Sequence, residues 1–435
     1  MKVSLFVFVA VAAGAGVIAS MAACQQESAP DRVAGWRGDL EYLVAEARRV
    51  HAGPTRPAHA PEFAQAAAEL SQRIPNLPDR RIVVEFQRLL AMLGDGHSIM
   101  YPMPAPRASF AMLPLDLYRF DDGLFIIDCV GSAQELIGSR IVRFGSRTTE
   151  EILDQMEPFV SRDNTMGLKA FAGLFLILPA FLEAWGATND PDHVTLTVID
   201  AEKRTREIKL TAGPARQIRK KLFALAGAPQ PAPLYLQHTD REYWLHFLPE
   251  HDALYFQFNQ VANATDTPLA AFASQLRDTL AGNSADHLIV DVRHNNGGNN
   301  LLLDPLLETI AEFATGSPKH RVYILTSRTT FSAAQNFITR IERRVPAAIF
   351  AGEPSMSSPN FTGEDNPITL PFSSLIASIS NRYWQDSDAN DRRPWIAPHL
   401  PVALSSKDWL NNRDPVLDAV LRAIASSRSK RIKSG

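Results

Sequence analysis

The chain has 435 residues, material for two or three domains and a large core. Lys plus Arg is 44 against 47 Asp plus Glu, a formal net charge of −3, and no basic block occurs. That balance argues against nucleic acid as a partner.

The N-terminus reads as an export signal. Met1-Lys2 is followed by the apolar run Leu5 to Ala19 and then Ser20-Met-Ala-Ala-Cys24. The run is short for a stable membrane span. Small residues directly before Cys24 resemble a lipoprotein signal (residues 1–24), in which Cys24 is lipidated. Ordinary signal cleavage and a retained anchor helix are the alternatives. Lipidation of Cys24 would leave Cys129 as the one thiol, with no intrachain disulfide. Cys129 lies in the apolar segment 124–130 and is expected to be buried. With Gln25 after the cysteine, the resemblance implies the periplasmic side of a bacterial envelope, at the outer membrane.

Residues 25–107 form a helical region. Leu40, Leu43, Val44 and Ala47 share one helical face, as do Phe63, Ala67 and Leu70. Pro54, Pro57, Pro61, Pro75 and Pro78 divide it into several helices. The last helix ends at Gly94-Asp-Gly-His97. Residues 108–213 change to strand-like runs (113–117, 124–130, 139–144, 194–199, 207–210) around an apolar stretch, 168–185. Pro179, Glu183 and Lys169 interrupt that stretch, so a buried helix or a groove wall is expected, not a second span.

Residues 214–233 read as a linker with a short basic helix. In 234–428 strands alternate with helices: strands 254–258, 287–292, 322–325 and 347–350, helices 268–281, 301–314 and 332–343. This rhythm predicts an α/β domain with parallel pairings, whose ligands would sit beyond the carboxyl ends of the strands.

Two consecutive strand-to-helix turns carry chemistry. One is Asp291-Val-Arg-His-Asn-Asn-Gly-Gly-Asn-Asn300, where Gly297 and Gly298 permit positive φ and a cradle of N–H groups. The other is Leu325-Thr-Ser-Arg-Thr-Thr-Phe-Ser-Ala-Ala334, which puts Ser332 at a helix start. Alone, Ser332 reads as an N-cap. Beside a Gly-Gly turn on the same sheet edge, it becomes a candidate nucleophile with an oxyanion hole. No Gly-Lys-Ser or Gly-Lys-Thr follows the glycines, and neither His-Glu-x-x-His nor Cys-x-x-Cys occurs. No cofactor or metal is expected.

These two turns, with Ala351-Gly-Glu-Pro354, Trp395-Ile-Ala-Pro-His-Leu-Pro-Val402 and Asp414-Pro-Val-Leu-Asp418, resemble the tail-specific (C-terminal-processing) serine peptidase family over about residues 234–423. The resemblance implies a crotonase-like (ClpP/crotonase) α/β core for the 234–428 catalytic domain, and the 25–107 helices read from their own spacing as a small cap. Leu136-Ile-Gly-Ser-Arg-Ile-Val-Arg-Phe-Gly145 resembles, more weakly, the PDZ-like segment of such proteins, which makes 108–213 a PDZ-like α+β insert. Ser332 is then the nucleophile. Backbone N–H groups near Gly297 or Gly298 and at Ala333 are the oxyanion donors.

One branch of the family uses a lysine beyond the Gly-Glu element. Here that position falls in Ser355-Met-Ser-Ser-Pro359, which has none. The tricorn-like branch uses a histidine from an earlier segment, and Gly94-Asp-Gly-His97-Ser98 matches it. A neutral imidazole can accept the serine proton. A carboxylate should orient that base. Glu364 is preferred, beside Gly363, over Asp391 and Glu353. The expectation is a lipid-anchored serine-type peptidase acting on peptide or protein substrates. The alternative is a catalytically weak or inactive relative that binds peptides or apolar ligands.

Overall fold

The apolar runs beyond Leu234 form a six-stranded sheet in the order Tyr243–Leu248, Ala253–Phe258, His287–Asp291, Arg321–Thr326, Ile349–Gly352, Leu400–Pro401. The first two strands are antiparallel and the others parallel. Side chains alternate between faces, and both faces are covered. Leu254, Phe256, Leu288, Val290, Val322 and Ile324 pack with the helices Leu269–Gly282, Asp304–Gly316 and Ala333–Arg344. Tyr255, Ile289, Tyr323, Leu325 and Ala351 pack with Val416, Leu417, Val420 and Ile424 of the C-terminal helix. Burial on two sides explains why these strands read as continuous apolar runs.

This computed structural model describes residues 29–101, 111–214 and 232–434. The signal with Cys24 and the basic helix expected in the linker lie outside them. Among the described residues no helix is long and apolar enough to cross a membrane.

In the helical region, Ala29–Val50, Pro61–Arg73 and Asp79–Ala91 bury the expected stripes, among them Trp36, Leu40, Leu43 and Ala47. The following region is an antiparallel sheet of Leu115–Phe120, Gly123–Cys129, Arg140–Phe144, His193–Ile199 and Thr205–Thr211, with Arg147–Thr148 paired to the third. The expected strand 113–117 begins later because Pro114 interrupts it. The apolar stretch becomes two short buried helices, Met166–Phe175 and Pro179–Ala184. Their Phe171, Phe175 and Phe181 share one core with Val83, Phe86 and Leu90 of the helical region. Two regions that read as separate in sequence therefore have a common interior. Cys129 is buried in it, and desolvation pushes its thiol up to about 11.

Sequence periodicity missed the short strands after Gly352. Asn360–Gly363 pairs with Arg382–Gln385, and Ile376–Ser378 pairs with Pro367–Thr369. Ile376–Ser378 also pairs with Ile99–Met100, just past His97. Strands of two to four residues are too short to show a period, yet these carry the His97 loop to the sheet domain.

Candidate active site

Ser332 does not cap its helix. Its φ is +56° and ψ −124°, and its side chain makes no capping hydrogen bond. Such a backbone costs a non-glycine residue about 1–3 kcal/mol, so its surroundings must hold it. They do, through the neighbouring turn. Ser327 Oγ donates to Arg293 O at 2.7 Å, Thr330 Oγ1 to Val292 O at 2.9 Å, and Phe331 N–H to Asn295 O at 3.0 Å. Beneath, Arg293 is buried between Asp291 and Asp414, with an Nη1–Oδ1 distance of 2.8 Å to the latter.

The glycine turn is shaped to this serine. Gly297 has φ +116°, and a Cβ there would lie 2.7 Å from Ser332 Cβ and 3.0 Å from Ala333 N. Gly298 has φ +135°, and a Cβ there would lie 2.1 Å from Val261 O. Both positions therefore require glycine. The Gly297 N–H is already given to Asn295 Oδ1, at 3.0 Å. The Gly298 and Ala333 N–H groups make no hydrogen bond among the described residues.

The freed hydroxyl meets a histidine 235 positions away. His97 Nε2 lies 2.9 Å from Ser332 Oγ. Phe331 stacks on the imidazole at 4.2 Å between centroids and Phe361 lies parallel to it at 5.8 Å. Burial holds the His97 pKa down to about 4, against the opposing charges of Asp95 and Asp365. The ring is therefore neutral at neutral pH, as a proton acceptor must be. For Nε2 to accept, Nδ1 must carry the hydrogen. That atom is buried without a partner among the described residues, facing the backbone at Gly363.

None of the three candidate carboxylates reaches the ring. Glu364 is exposed at φ +78° and makes no hydrogen bond to His97. Asp391 is held by Arg393 and Ser387, which lower its pKa. Glu353 pairs with buried Arg328, at 2.8 Å from Nε. The carboxylates at the His97 loop are Asp95 and Asp163. Asp95 Oδ1 accepts from the N–H groups of His97 at 2.8 Å and Ser98 at 2.7 Å. Asp163 Oδ1 accepts from Gly96 N–H at 2.8 Å. Asp95 had a local signal, since Asp two residues before a turn residue commonly forms an Asx turn. Asp163 had none.

In the segment that lacks a lysine, Ser355 Oγ bonds Gln335 Oε1 at 2.6 Å. Buried Ser357 Oγ makes no hydrogen bond of good geometry, and neither does Asp163 Oδ2 beside it. Among the described residues no cluster of His, Cys, Asp or Glu could hold a metal ion.

No family model matches this chain, and no curated protein matches it. Solved structures do. Mature CPAF complexed with lactacystin superimposes with a TM-score of 0.67 at 13% identity, covering 93% of this chain and 99% of that one. Mature CPAF in a second crystal structure gives 0.60 at 12% identity, covering 87% and 94%. The chain thus has the CPAF fold along nearly its whole length. The photosystem II D1 C-terminal processing protease matches at 0.41 and 13% identity, covering 89% and 97%, a likeness too distant to argue from.

Proposed function

We propose that this chain is a serine-type peptidase of the tail-specific family, in its tricorn-like, lysine-free branch. The observation that carries the proposal is the Ser332 Oγ to His97 Nε2 contact of 2.9 Å, made by a serine in a strained backbone that forgoes capping. In this reading His97 takes the hydroxyl proton as Ser332 attacks a peptide carbonyl. The developing oxyanion is met by the Gly298 and Ala333 N–H groups, the latter at a helix start whose dipole favours negative charge. His97 then protonates the leaving amine, and water releases the acyl-enzyme. Retention of this geometry favours catalysis over the ligand-binding alternative.

The same proposal includes the crotonase-like core, the PDZ-like region, the boundaries given above and lipid anchoring at Cys24 in a bacterial envelope. A fluorophosphonate probe tests the chemistry: wild type should be labelled and Ser332→Ala should not. Absence of labelling in folded wild type would refute the peptidase reading. Incorporation of labelled palmitate, lost in Cys24→Ala, tests the anchor. Label that persists without Cys24 would refute it.

A further inference from the structure

Removing Glu364, Asp391 and Glu353 from the ring leaves a question of charge. An imidazolium forms at His97 during the reaction, in a pocket where burial disfavours it. Of the two carboxylates whose charge favours the protonated ring, Asp95 has the larger effect, and it is bonded to the backbone of the His97 loop itself. Asp95 is 1% exposed, and four donors surround it. They are the His97 and Ser98 N–H groups, Ser380 Oγ at 2.5 Å and His51 Nε2 at 3.0 Å. Burial alone would raise its pKa, but hydrogen bonds from His51, Ser380 and Ser98 overcome this and hold it below the usual carboxylate range.

His51 is built to serve this group. Its side chain is 2% exposed, and Gly53 N–H donates to its Nδ1 at 3.4 Å. That bond makes Nδ1 the acceptor and leaves the hydrogen on Nε2, aimed at Asp95. Ala52 N–H bonds Ser380 O at 3.2 Å, and Ser380 N–H bonds Ser98 Oγ at 3.1 Å, closing the network from the first helix to the sheet domain.

We propose that Asp95, held by His51, is the positioning carboxylate of this site. It fixes the His97 loop through two backbone N–H groups and favours the imidazolium by its charge, without touching the ring nitrogens. The inference rests on the Ser332–His97 reading. The other titratable groups facing this cluster are Asp163, which feels the Asp95 charge, and Asp365, which bonds Tyr101 and acts on His97.

Two measurements test it. An NMR titration of the His97 ring, independent of any turnover, should show a midpoint near 4 in wild type and a lower one in Asp95→Asn. Equal midpoints would overturn the electrostatic role. At neutral pH, Asp95→Asn should slow fluorophosphonate labelling about 100-fold, the scale of a misplaced catalytic group. His51→Phe, which keeps a ring but no donor, should slow it about tenfold, and not further when combined with Asp95→Asn. His51→Gln, which restores a donor, should recover most of that loss. Equal losses in His51→Phe and His51→Gln would reduce His51 to packing. Wild-type rates in folded Asp95→Asn would refute the positioning role. If Asp95→Asn does not fold, Gly53→Ala stands in, because its Cβ would lie 2.5 Å from His51 Cε1 and displace that ring. A wild-type rate there would refute the role of His51. Unlabelled wild type would sink the peptidase reading, while the His97 titration would still decide what Asp95 does.

Discussion

Ser332 and His97 touch, but the molecule holds them by different means. The serine turn is fixed by the strand next to it: Ser327, Thr330 and Phe331 bond to Arg293, Val292 and Asn295 in the adjoining turn. The histidine loop is fixed by carboxylates and by residues far away in sequence. Gly96, His97 and Ser98 give their N–H groups to Asp163 and Asp95, and the Asp95 side chain is shared with His51 and Ser380. One half of the site is thus a property of the parallel sheet, where neighbouring turns open on one edge. The other half exists only when the helical region, the antiparallel sheet and the sheet domain come together. The histidine side, held by carboxylates, should therefore be the more sensitive to pH.

The sharpest way to break this contrast is His97→Ala. It should cut the rate of fluorophosphonate labelling by about 10⁴-fold or more, as removal of a catalytic base does, while leaving the serine turn folded. Unchanged labelling would move the base elsewhere. For the unaltered protein, labelling should hold across neutral pH and fall as pH drops through about 4, when His97 takes up a proton. A midpoint near 6.5 would mean that the ring is not desolvated.

Gly297→Ala probes the serine side. Its Cβ would crowd Ser332 Cβ and the Ala333 N–H, at 2.7 and 3.0 Å. A loss of about 10²- to 10³-fold is expected, as for an oxyanion donor, with only a modest change in melting temperature. A near-normal rate would show that the glycine turn does not shape the nucleophile.

Asp163 sharpens the contrast in stability. Burial first, and then the Asp95 charge, pushes its pKa up to about 7. The folded state binds this proton more tightly than the unfolded chain. Its contribution is therefore fully present below about pH 4 and is lost as pH rises through about 7. Asparagine stays neutral and can donate toward Ser357. The stability advantage of Asp163→Asn over wild type should therefore grow by about 2–3 kcal/mol between about pH 5 and about pH 8. Urea denaturation at both pH values measures it, and a constant difference would contradict an Asp163 that keeps its proton up to about pH 7.

The smallest effect is expected at Glu364. Exposed and without contact to the ring, Glu364→Ala should change labelling by about twofold or less. A loss of about 100-fold would restore it as the acid partner of His97.

Much of the fold was legible from the chain. Strands buried on both faces wrote themselves as apolar runs, and helices with one buried stripe as spaced apolar residues, because burial acts on every turn of the element. The short strands around His97 left no such trace. Neither did the shared core of Phe86 and Phe175, since which apolar face meets which is not a property of either segment. The sequence favours Glu364 as the partner of the base because Gly363 lies beside it. In the structure Gly363 serves closeness of another kind, letting its backbone approach the imidazole edge.

By itself, then, the sequence determined the parallel sheet, the order of its two chemical turns, and the glycines and serine in them. Each of these depends on residues within a few positions of one another. The tertiary structure decided that Ser332 would give its hydroxyl to His97 instead of its own helix, and that Asp95 and Asp163, not Glu364, would hold that histidine's loop. Those choices depend on burial, on the donors of His51 and Ser380, and on the accepting carboxylate of Asp163, all brought from elsewhere in the chain. No local pattern can encode a desolvation that only packing creates.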